Sequence, residues 1–192
     1  MPNYGLGPTP ATGQYYSAAI QGNLYRGGNQ AVVATAMTAG VPTAYTGGLV
    51  LSNPIASAVN LVLQSASAAF VVAQTNAAVI SVGASYAPVT AITGTLTAVP
   101  VQAAVAGATT ANAKGKLYSS ASITLPAAPQ LSIIVGAVDT GALTTGVGSS
   151  PMRADIQGGL IIPPGGQAVF LSSATGTASS FLGSFTWLEL PA

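Results

Sequence analysis

The chain has 192 residues, yet it carries only four Lys or Arg, three Asp or Glu, and neither His nor Cys. Those absences exclude a disulfide framework, a Ser–His or Cys–His nucleophile pair and the clustered cations on which nucleic-acid binding depends. The length suffices for one domain with its own core.

Residues 1–29 contain Pro2, Pro8, Pro10, six glycines and four tyrosines, with little hydrophobic periodicity. They read as an extended N-terminal arm, with Tyr4, Tyr15, Tyr16 and Tyr25 as anchors on a neighbouring subunit; a loose leader is the alternative. The opening MPNYGLGPTP shows neither the basic region nor the apolar run of a signal peptide.

Residues 27–113 hold no Asp, Glu, Lys, Arg or His. From residue 30 to 192 short apolar runs alternate with Gly and Pro breakers. They predict strands at Ala31–Thr38, Gly48–Ser52, Asn60–Ala66, Ala68–Gln74, Ala78–Val82, Ala121–Leu125, Leu131–Val135, Gly158–Ile162, Ala168–Ser172 and Ser184–Leu190. The expected fold is all-β, a jelly-roll-like antiparallel β-sandwich over 30–192 preceded by the arm. The uncharged stretch Ile55–Ala73 would score on a hydropathy window. Asn60, Gln64, three serines and the preceding Asn53-Pro54 turn favour two buried strands over a membrane span.

Within the strands, Leu131, Ile133 and Val135 alternate with Ser132 and Ile134. Phe185 and Trp187 share a face with Glu189, and Phe181, Phe185 and Trp187 are expected in the core or at a subunit interface. Ala103–Ala113 is interrupted by Gly107 and Thr109-Thr110, which leaves room for a helical turn at most. The Thr- and Gly-rich stretches 93–116 and 136–152 read as loops.

Few groups are left for chemistry. Asp139 lies in an Asp-Thr-Gly triplet that resembles the aspartic-protease motif, but one copy needs a homodimer to supply the second carboxylate; a turn in which Asp139 bonds nearby backbone is preferred. Arg153 and Asp155 form a candidate structural ion pair, and Glu189 a pin for the C-terminal strand. Arg26, Lys114, Lys116 and Arg153 are too scattered for a nucleic-acid surface, and GGLIIPPGG lacks the Lys of a phosphate loop. The reading is non-enzymatic, with no metal and no cofactor, because hard cations want several carboxylates.

Two segments carry a resemblance. GLVLSNPIASAVNLVLQSASAAFVVA (48–73) turns at Asn53-Pro54 and returns through Asn60-Leu61-Val62-Leu63. DIQGGLIIPPGGQAVFLSSATGTASSFLGSFTWLELPA (155–192) holds a Pro-Pro-Gly hairpin and a closing Thr186-Trp187-Leu188-Glu189-Leu190-Pro191 strand. Together they resemble structural proteins of tailed bacteriophages, with Leu188 standing where an acid is common. The resemblance implies a virion protein on the particle surface: a capsid decoration (cement) protein, often a β-sandwich trimer, whose partners are itself and the major capsid protein. A tail or fibre component and a small jelly-roll capsid subunit are alternatives of the same class. A sugar- or host-surface-binding module is the alternative from another class, and an exposed Trp187 would favour it.

Overall fold

The structure is a computed structural model that describes residues 11–29, 39–40, 44–45, 48–72, 77–105, 112–119, 122–138, 152–173 and 180–192. One helix, α1 (Ala11–Ile20), precedes fourteen strands among them. These are β1 (Leu24–Gly28), β2 (Ala44–Tyr45), β3 (Leu49–Ser52), β4 (Val59–Val72), β5 (Ala78–Tyr86), β6 (Thr93–Gly94), β7 (Ala98–Val99), β8 (Gln102–Ala103), β9 (Lys116–Ser119), β10 (Ile123–Thr124), β11 (Gln130–Val138), β12 (Met152–Ile162), β13 (Gly166–Ser172) and β14 (Ser180–Pro191). None of the described helices is long and apolar enough to cross a membrane.

Two antiparallel sheets form the sandwich. The first runs β12-β4-β14-β1-β8 and the second β11-β5-β13-β3-β9-β7. Take the eight principal strands in chain order: β1, β3, β4, β5, β11, β12, β13, β14. The chain then crosses between sheets at every step except β5 to β11. The orders become 6-3-8-1 and 5-4-7-2, which is the double Greek key of a jelly roll. The expected all-β sandwich is thus present.

The core lies between the sheets. Leu61, Leu63, Phe181, Phe185 and Trp187 from the first sheet meet Leu49, Leu51, Ile80, Val82, Ala168 and Phe170 from the second. Phe170 joins the two layers, stacked on Phe185 at 4.7 Å between ring centroids and edge-on to Phe181 at 5.7 Å. Burying each such Phe stabilises by about 1.5–3 kcal/mol.

A third layer covers part of the second sheet's outer face. The small sheet β2-β10-β6 lies there, and Ile123 and Leu125 pack on Val50, Val169 and Leu171. β13 is consequently buried along its whole length, which explains its unbroken apolar run.

The β12–β13 connection follows from its sequence. Pro163-Pro164-Gly165-Gly166 closes with Gly166 N–H donating to Pro163 O at 2.8 Å, and Gly165 sits at φ +86°. A proline followed by a positive-φ glycine is what a type II turn requires.

Several expectations need correction. The segment 1–29 is not an extended arm over its described part: Ala11–Ile20 is helical and Leu24–Gly28 is an inner strand of the first sheet. The helix stops at Gly22, φ +74°, where Gly22 N–H donates to Ala19 O and Asn23 N–H to Ala18 O, a Schellman closure. The strands expected at Asn60–Ala66 and Ala68–Gln74 are one strand, Val59–Val72, because Ser67 is no breaker; its hydroxyl instead meets Ser184 Oγ on β14 at 2.7 Å. In β11 strict alternation fails at two bulges, so Leu131 and Ile134 share the outer face while Ile133 and Val135 turn inward. Short strands β6, β7 and β8 cross the stretch read as a loop from residue 93. Ala31–Thr38 and Tyr4 lie outside the described residues, as does Asp139.

Candidate functional site

The aromatic residues singled out in the sequence resolve into core. Trp187 is 0% exposed, as are Phe181 and Phe185. Tyr25 is not an arm anchor: strand β1 carries it into the same core, where its ring stacks on Trp187 at 6.2 Å. Tyr15, on α1, is half-buried, and Tyr16 is exposed.

Glu189 is buried, yet its carboxylate is well served. It accepts from Lys114 N–H at 3.0 Å, from Gly115 N–H at 2.8 Å and from Trp187 Nε1 at 3.2 Å. Three N–H donors supply the partial positive charge that a buried carboxylate needs. The side chain therefore pins the 112–115 segment to β14, and its negative charge helps raise the pKa of Tyr25, although burial is the larger cause.

Arg153 and Asp155 stand two residues apart on exposed positions of β12. The hydrogen bond described for Asp155 is from Gln157 Nε2 at 3.1 Å, not from Arg153. Both charges are felt by Tyr15. Burial first and Asp155 second raise its pKa, and Arg153 lowers it.

Asn53 was legible only as a corner. Its Nδ2 donates to Val59 O at 2.7 Å and to Ile162 O at 2.9 Å, while its backbone exchanges bonds with Gly165 and Gly166 at 2.9 Å each. One residue thus ties the Asn53-Pro54 corner to the Pro-Pro-Gly-Gly turn. The two segments that carry the resemblance meet there.

No three His, Cys, Asp or Glu gather among the described residues. What stands out instead is apolar surface. On β11, Leu131 is 58% and Ile134 65% exposed, and Val79 of β5 lies beside them on the outer face. At the Gln130 end of β11 a cavity of about 330 Å³ is walled by Ser85, Tyr86, Ser132, Ile161 and Gln167. Its lining contains no carboxylate, ammonium or guanidinium, so it offers apolar contact and neutral hydrogen bonding only. Neither a protein-family model, nor a curated protein, nor a solved structure matches the chain.

Proposed function

We propose that the chain is a non-enzymatic structural protein of a virus particle, most simply a capsid decoration protein at the particle surface. It would hold to the major capsid protein and to copies of itself through charge-poor faces. One observation carries the reading: a chain with 4% charged residues leaves large apolar side chains, Leu131 and Ile134 foremost, in solvent. A free surface of that kind is unusual, and burial against another subunit gives it a physical reason. Hydroxyls and amides replace charges over the rest of the surface, and they are desolvated at far lower cost.

The jelly-roll strand order favours a second reading of the same class, a small jelly-roll capsid subunit, since capsid proteins use this architecture widely. Sugar binding through Trp187 loses its support, because that ring is buried.

The test is the mass of the purified protein by light scattering, at low salt and at about 1 M NaCl, where the Debye length is near 3 Å. An assembled species that persists in both conditions supports the reading, and added phage heads should then retain it. A monomer in both conditions overturns it.

A further inference from the structure

Among the described residues the two sheets end in four edge strands, β12 and β8 on the first and β11 and β7 on the second, with β11 packed alongside β12. β7 and β8 are two residues long. β12 carries Arg153 and Asp155, and it leaves register with β4 between Asp155 and Leu160, where Gln157 and Gly158 sit at φ +50° and +82°. Shortness and charge both protect an edge against pairing. β11 is nine residues long, QLSIIVGAV, with neither a charge nor a proline.

Its two bulges leave a particular pattern. Leu131, Ile134 and Ala137 pair with Gly83, Ser81 and Val79 of β5, the residues that alternate with the core positions Ala78, Ile80 and Val82. All three point outward, beyond the cover of the third layer, and all three are exposed.

We propose that β11 is a two-fold contact between copies of this chain, antiparallel and centred on Ile134. Three features select a second copy as the occupant. First, the outward spacing 131/134/137 reads the same in both directions. A two-fold axis at Ile134 therefore lays each Leu131 on the partner's Ala137, large against small, and Ile134 on itself. An isologous contact needs this self-complementarity.

Second, β11 carries no charge, so the contact buries none and sets no like charges against each other at the axis. A charged foreign partner would instead be desolvated with no counter-charge. Third, nine residues run about 30 Å, a length suited to the roughly 800 Å² per side of a stable contact. Exposed Tyr86 and Ile161 around the cavity extend the surface at the Gln130 end, where the axis brings the partner's Val138. The contact stands whether or not the assembly is a virus particle. It also differs from the three-fold contact of a trimer, so the two together would give a hexamer.

The chain has no cysteine, so a single introduced thiol reports the geometry. Ile134→Cys should form an interchain disulfide under mild oxidation. It should do so roughly a hundredfold faster than Val89→Cys, a still more exposed position at 87%, because contact raises the local thiol concentration to about millimolar. Leu131→Cys mixed with Ala137→Cys should cross-link, and each alone should not. Ile134→Lys should halve the mass in solution, dimer to monomer or hexamer to trimer, and leave the thermal midpoint unchanged. Cross-linking at 134 no faster than at 89 overturns the proposal. So does a mass that Ile134→Lys leaves unaltered, and a trimer of that kind would leave the assembly reading standing.

Discussion

Asn53 has its side-chain amide aimed at two carbonyls, Val59 O and Ile162 O, from different parts of the chain. Asn53→Ala removes both bonds, leaving Ile162 O without the amide and Val59 O with the Ser57 hydroxyl at 3.3 Å, and should cost about 2–3 kcal/mol. Asn53→Asp should cost more, about 3–5 kcal/mol, because a carboxylate then faces two acceptors with its charge buried. Urea unfolding followed by Trp187 fluorescence orders the two variants, and the reverse order would refute this account. Glu189 poses the opposite problem, an acceptor among donors. Glu189→Gln turns an NH₂ group toward backbone N–H groups; the expected loss is about 2–3 kcal/mol, with faster amide exchange at Lys114 and Gly115. The phenols add a pH dependence. Burial, followed by the Glu189 charge, raises Tyr25 above the ordinary 10.0, and burial raises Tyr118. Their contribution is complete below pH 10, where both states are protonated. Above it the unfolded chain loses protons first, so stability falls as pH rises toward the folded pKa. Urea midpoints on either side of pH 10 should show that fall, and Tyr25→Phe should reduce it.

The turns show how far single elements can be read locally. Pro163-Pro164-Gly165-Gly166 spells its own geometry, and the energetic test is a comparison of glycines. A Cβ at Gly165 would lie 2.6 Å from Ala87 O as well as demanding φ +86°, whereas at Gly22 nothing lies within 4 Å. Gly22→Ala should therefore cost about 1 kcal/mol and Gly165→Ala at least twice that; equal thermal midpoints would contradict it. Strands with large residues, such as Ser184–Leu190, were legible from alternation, and Phe181, Phe185 and Trp187 announced their packing. β4 was split in the sequence reading because Ala and Ser give no periodic signal, and only its pairing with β14 over Val59–Val72 makes it continuous. β1 was hidden for a different reason. Leu-Tyr-Arg-Gly-Gly has two apolar residues, and its register partner, Leu24 on Leu188, is far away in the chain. The donors around Glu189 were equally out of reach, since backbone N–H groups leave no mark in a sequence.

That pairing of β1 with β14 governs the whole molecule. The first principal strand completes the sheet only after the last one is in place, so closure is non-local and folding should be slow, in the millisecond-to-second range. It also decides what residues 24–29 are for. An arm that reaches to a neighbour is dispensable for the fold of its own subunit. A strand that covers Trp187 with Tyr25, and whose neighbour Asn29 donates to Phe181 O at 2.9 Å, is not. A chain beginning at residue 30 would lose β1, uncover one edge of β14 and expose the single tryptophan. The expected result is no cooperative urea transition, with Trp187 emission already at its unfolded wavelength. Salt should not rescue it, because the missing contribution is packing and ladder hydrogen bonds rather than screened charge. If the shortened chain instead unfolds cooperatively at the full-length midpoint, β1 is not integral to the sheet, and the tyrosines of the first 29 residues return to the role of anchors.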